Sequence, residues 1–160
     1  AYQLSPFFEA RVNDAVNDLI VYDQNKQTSI GKRITFAVNA FETAQQNLLI
    51  GVGTGDFPDE YKKINLVNSP ELESVENPHN MYTLILGQLG IIGLISLLSI
   101  FYYQIKLSFQ ASNRFIKDVG IAMPLLFLLI MWSDSYLLGH YTTLLYVFFS
   151  SFLYRDFEKT

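Results

Sequence analysis

The chain has 160 residues, half of them hydrophobic, a formal net charge of −4 and a mean hydropathy of +0.21. The acidic excess argues against nucleic acid as a partner, and the absence of cysteine removes any disulfide framework or thiolate site. The length suits one ordinary domain, but the apolar residues crowd into the C-terminal half, which points to a lipid bilayer.

Ser5-Pro6 predicts a helix start, a capping hydroxyl followed by proline at the first helical position. Phe8, Val12, Ala15, Val16, Leu19 and Ile20 follow at helical spacing; this stripe could pack on the protein or lie along a membrane surface. Asp23 to Thr28 reads as a loop. Ser29 can cap a second helix over about 30–49, which Gly51, Gly53 and Gly55 end. These alternate glycines allow positive φ and close backbone approach. They suit a tight turn, or less readily a nest of N–H groups for an anion. Pro58 opens a short helix, Asp59 to Ile64, and Leu66 to Asn77 reads as an exposed loop. Asn77 is placed as the cap of the next helix, with Pro78 at its first position.

No Asp, Glu, Lys or Arg occurs between Glu76 and Lys106, and a spanning helix needs about 20 such residues. Later apolar runs flank Pro124 and extend from Ser135 to Tyr154. The expectation is three transmembrane helices near 80–104, 115–133 and 138–154. Lys106, Arg114 and Lys117 in one short loop, and Arg155 and Lys159 in the tail, assign those segments to the cytoplasm. Residues before Met81, with most of the acidic groups, are then outside. Gly87, Gly90 and Gly93 suggest close helix packing, and Trp132, Tyr136 and Tyr141 interfacial anchoring. The fold expected is an all-α, polytopic membrane protein fragment. An extracytoplasmic helical loop region, 1–78, precedes a transmembrane region, 79–160. Ala1 in place of an initiator Met leads us to read it as the C-terminal piece of a larger membrane protein.

Asn77-Pro78-His79-Asn80 sets a histidine where the first span meets the outer region, so a titratable group stands at the bilayer edge. An interfacial histidine that caps the helix or bonds a headgroup is the blander reading. His140 and Asp134 read as a pair on the outer turn. Asp56, Asp59 and Glu60 could supply carboxylates, but charged loop residues are usually just solvated.

In order, Arg33, Leu49-Ile50-Gly51-Val52-Gly53-Thr54-Gly55-Asp56-Phe57, Pro78-His79-Asn80-Met81-Tyr82 and Leu89-Gly90-Ile91-Ile92-Gly93-Leu94 resemble the O-antigen ligase and polymerase family over about residues 29–100. The resemblance implies a bacterial inner-membrane enzyme working at the periplasmic face without metal or other cofactor. It implies transfer of a glycan from an undecaprenyl-diphosphate carrier to a hydroxyl of a repeat unit, lipid A core or protein, the last being a protein O-oligosaccharyltransferase. Its loop arginine and histidine fall on Arg33 and His79; Asn80 and Lys32 beside them are candidate substrate contacts, though Lys32 could merely face water. A further family arginine belongs farther upstream, and Arg11 matches it poorly. On this reading His79 is the general base and Arg33 holds the diphosphate through its planar fork. A helix N-terminus at His79 would keep the imidazole neutral. The rival from another class is a non-enzymatic transport or assembly subunit, which would carry polar groups near the midplane of its spans.

Overall fold

A computed structural model describes residues 5–154. Among these residues there are six helices and no strand: α1 (Pro6–Ile20), α2 (Ser29–Gln45), α3 (Phe57–Asn68), α4 (Met81–Ser108), α5 (Arg114–Ile130) and α6 (His140–Leu153). The all-α expectation holds. The tail residues Arg155 and Lys159 lie outside the described residues. Helix α2 packs on α1, α3 and α4, while α4 packs on α5, and α5 on α6.

Local chemistry sets most of the boundaries. The Ser5 hydroxyl accepts from Phe8 N at 3.3 Å, with Pro6 opening α1 as expected. The cap of α2 is Thr28, one residue earlier than expected, accepting from Gly31 N at 3.0 Å. Helix α3 starts at Phe57 and runs to Asn68, longer than the predicted 59–64. A buried amide network explains the extension. Asn39 Nδ2 donates to Asn65 Oδ1 (3.1 Å) and Ser69 Oγ (3.2 Å), and Asn65 Nδ2 donates to Leu72 O (2.9 Å). Satisfied polar groups of this kind fix a unique packing. They bury Ser69 and Leu72 in a segment that reads as an exposed loop.

Helix α4 is interrupted. Gly90 has φ 65° and ψ −164°, outside helical space. In an unbroken helix, Ile91 N–H would donate to Gly87 O and Ile92 N–H to Gln88 O. The segment after α2 takes the place of both bonds. Val52 N donates to Gly87 O (2.9 Å) and Gly53 N to Gln88 O (3.0 Å), while Ile91 N donates to Leu48 O (2.9 Å) and Ile92 N to Leu49 O (3.2 Å). Gly51 makes the approach possible. Its φ is 71°, and a Cβ there would lie 2.4 Å from the Gln88 carbonyl carbon. Of the glycine N–H groups offered as an anion nest, Gly53 N is therefore committed to α4, and Gly51 N donates to Asn47 O at 2.7 Å. Just beside the break, the Phe57 ring fills the space over Gly87.

Among the described residues, α4 is the one helix long and apolar enough to cross a membrane, by length and composition. The expectation of three spans is met at α4; α5 has 17 residues and α6 14, against about 20 for a typical span. Both are shortened by the polar turns of residues 131–139, which form a connection tied to α4. Pro124 does not end α5. A proline there removes the bond to Gly120 O, and Tyr154 Oη donates to that carbonyl instead, at 2.7 Å. Gln104 links α4 to α6, donating to Ser150 Oγ (3.1 Å) and accepting from Tyr146 Oη (3.0 Å).

The glycines around the break should separate sharply on substitution. Gly90→Ala places a Cβ 2.3 Å from Leu49 O at a positive φ, and Gly51→Ala meets a similar clash. Each is expected to cost at least about 2 kcal/mol. Gly55→Ala, with nothing within 4 Å, should stay within about 0.5 kcal/mol of the parent. Thermal unfolding of the purified full-length protein, followed by size-exclusion chromatography, measures the difference.

Candidate functional site

The N-terminus of α4 meets the C-terminus of α5, and each satisfies groups the other leaves unpaired. First-turn amides and last-turn carbonyls have no partner within their own helix. Here Met81 N donates to Met131 O (3.0 Å), Asn80 Nδ2 to Trp132 O (3.0 Å) and Tyr82 Oη to Leu128 O (2.5 Å). Asn80 is also the N-cap, its Oδ1 accepting from Tyr82 N (3.0 Å) and Thr83 N (3.1 Å). The helix thus begins at Met81, three residues later than the Asn77-Pro78 start expected from the sequence. Pro78 instead lies buried beneath the turn, and Asn77 Oδ1 accepts from His79 N at 3.0 Å.

His79 lies ahead of the cap, in this turn. Its φ is +53°, the one non-glycine residue with positive φ among those described. Nδ1 is 3.2 Å from Asp134 Oδ1, in the connection after α5. A carboxylate only accepts, so Nδ1 carries the proton of this bond and Nε2 of the neutral ring keeps its lone pair. Asp134 Oδ1 also accepts from Ser135 N at 2.7 Å, which fixes the carboxylate. The Phe36 ring packs 6.2 Å from the imidazole, centre to centre. A carboxylate, rather than the end of α4, is thus the group that holds the ring.

Between α2 and this junction lies a cavity of about 530 Å³. One face of α2 supplies Ile30, Arg33, Ile34, Ala37, Val38 and Phe41. His79, Asn80, Thr83, Trp132 and Ser133 close the opposite side. The cavity is mainly apolar, with Arg33, His79, Asn80, Thr83 and Ser133 as its polar lining residues. Among the described residues Arg33 makes no ion pair.

Of the residues singled out from the sequence, Arg33, His79 and Asn80 come together here. Lys32 is exposed and does not line the cavity, and Arg11 lines a separate one with Asp14 and Asp18. Asp56, Asp59 and Glu60 are also elsewhere, Glu60 pairing with Lys63 at 2.6 Å. No group of His, Asp or Glu side chains suited to a metal occurs among the described residues. The proposed His140–Asp134 pairing is replaced: His140 is exposed at the start of α6, its ring against Tyr141, while Asp134 serves His79. Fifty-five residues separate His79 from Asp134. The available sequence signal was a lone acidic residue directly after an apolar run.

Asn80 carries two separable jobs. Asn80→Ala removes the cap and the bond to Trp132 O, and should cost about 1–2 kcal/mol. Asn80→Ser keeps a capping oxygen and loses the donated bond, so it should retain more of the thermal stability than Asn80→Ala. Melting of both variants in the purified full-length protein checks the order.

The O-antigen ligase family profile matches residues 3–98, a stretch that contains Arg33, His79, Asn80 and both sides of the α4 break but not Asp134. Among individually curated proteins, none matches the chain. The family comprises membrane-bound enzymes of the ligase or glycosyltransferase type that act on lipid-linked glycans. With three-fifths of its length covered by that match, the chain belongs to the O-antigen ligase family.

Proposed function

We propose that the cavity between α2 and the α4–α5 junction is the transfer site for a glycan carried on undecaprenyl diphosphate. The observation that carries this reading is the His79–Asp134 bond at 3.2 Å on the wall facing an unpaired Arg33. An acceptor hydroxyl approaching Nε2 gives its proton to His79 as its oxygen bonds to the anomeric carbon. The bond from that carbon to the phosphate oxygen breaks, and the electron pair leaves with the lipid diphosphate. Arg33 meets the growing negative charge with two N–H groups in a planar fork. Asp134 orients the imidazole and balances the imidazolium that forms, the role a carboxylate plays beside other catalytic histidines. The apolar wall from Ile30 to Phe41 suits the first isoprene units of the carrier.

In this reading α5 and α6 accompany α4 in the bacterial inner membrane, and the cavity opens to the periplasm. The Lys/Arg bias of the 106–117 segment supports that orientation. Lys32 and Arg11 lie outside the cavity, and they keep at most a peripheral place in substrate binding. Among acceptors, a repeat unit, lipid A core or a protein hydroxyl all fit the same step. The transport reading is less well supported. Of the two glutamines of α4, Gln104 is engaged with Ser150 and Tyr146, which makes it a link between helices rather than a relay.

Glycan transfer from lipid-diphosphate donor by purified full-length enzyme, with and without chelator, tests the assignment. His79→Ala should lower the rate by about 10²–10⁴-fold at normal membrane levels, the range for losing a general base. The acidic limb of the pH–rate profile should vanish with it. Asp134→Asn should also lower the rate, since an amide can support the wrong tautomer, and Asp134→Glu should restore part of it. Near-parental transfer by His79→Ala would sink the mechanism.

Arg33→Lys separates charge from shape. Lysine keeps the positive charge but loses the two-pronged contact. Its transfer rate should therefore stay closer to that of Arg33→Ala than to the parent. Full activity in Arg33→Ala would remove this residue from the site.

A further inference from the structure

The segment that fills the break in α4 carries a second message in its side chains. Residues 43–55 contain no charged group and are bounded by Glu42 and Asp56. At the tip, Leu48, Leu49 and Ile50 are exposed, the last two to 64% and 60%. Their neighbours across the break, Ile91 and Ile92, are exposed as well. The backbone bonds to Gly87, Gln88, Ile91 and Ile92 fix this tip at one level of α4.

That level can be placed. From Gly90 to Lys106, α4 rises about 24 Å at ~1.5 Å per residue. The hydrocarbon of a bilayer is about 30 Å thick. With Lys106 at the inner boundary, Gly90 lies about 6 Å below the outer one. From sequence and geometry together, we infer that residues 46–53 form a re-entrant wedge whose Leu49 and Ile50 side chains contact the acyl chains of the outer leaflet.

Backbone at this depth must find its partners within the protein, because hydrocarbon offers none. The four bonds to α4, and Gly51 N donating to Asn47 O at 2.7 Å, supply them for the tip. A broken helix and a non-helical loop at membrane depth are each costly alone, and each satisfies the other. The wedge also ties α2 to the bilayer, so the Arg33 face stands over the membrane surface. The inference rests on α4 crossing the membrane and is independent of the chemistry assigned to His79.

The test is collision accessibility of a nitroxide on the full-length protein in phospholipid vesicles, with any other cysteine replaced. Labels are placed at Ile50→Cys and, separately, Leu49→Cys, so that either position can report if the other variant fails to fold. Leu98→Cys on α4 and Glu73→Cys on the polar segment serve as lipid and water standards. At the tip, collisions with oxygen should exceed those with a water-soluble nickel chelate several-fold, as at Leu98, and the ratio should invert at Glu73. Chelate access at both tip positions would overturn the wedge. So would labels shielded from both reagents, which would mean that protein covers the tip. Glycan transfer by the same variants is measured in parallel, so that failure of the wedge and failure of the catalytic assignment are told apart.

Discussion

The interlock between the Leu48–Gly53 segment and the break in α4 is the constraint on which the other packing depends. Opening a helix at one residue orphans two donors and two acceptors. A buried backbone group left unpaired costs about 1–3 kcal/mol, and more in hydrocarbon. Four such groups would consume much of the roughly 5–15 kcal/mol that holds a domain folded. The break can therefore exist only with the loop seated in it. Four bonds of 2.9–3.2 Å meet that demand, and a positive φ at Gly51 and Gly90 lets the two backbones close.

From this seat the candidate site follows. The C-terminal end of α2 is held to the middle of α4, and the amide network through Asn39 holds it to α3. The α2 face bearing Arg33 then has to stand across from the start of α4. There α5 ends against Met81 and Asn80, which delivers the following connection, with Asp134, to His79. Two backbone junctions thus set the relation between an arginine on one helix and a histidine ahead of another. Neither depends on an ion pair to Arg33, which lines the cavity with no carboxylate partner among the described residues, while Asp134 holds His79 through Nδ1.

Much of this was legible in the sequence, and the remainder had identifiable physical reasons for being hidden. Ser5-Pro6, the uncharged stretch after Glu76 and the glycine pattern near residue 51 each signal by local chemistry, and each marks a real feature. Their relation was hidden. The glycines at 51–53 and those at 87–93 look like a turn and a packing face when taken singly, because a backbone bond between them leaves no trace in periodicity. Asn77-Pro78 imitates a helix start so well that it masks the real cap, Asn80. The difference is that Asn77 Oδ1 accepts from His79 N two residues on, closing a turn instead of opening a helix. Asp134 lies far nearer to His140 than to His79 in sequence, and proximity in sequence is no guide to a bond across 55 residues.

The backbone of His79 ties these threads together. A positive φ is uncommon outside glycine, and such conformations persist where the surroundings over-determine them. Here Asn77 bonds the His79 amide from one side, the Asn80 cap fixes the chain on the other, and Asp134 holds the ring. A residue serving only to enter a helix needs none of this, since extended backbone with any polar side chain would do. The left-handed turn instead carries the imidazole away from the helix axis, to a wall of the cavity that Arg33 lines from α2. The local strain is offset by three bonds that also set the direction of Nε2. The role proposed for His79 thus rests on orientation more than on the presence of a basic residue ahead of α4.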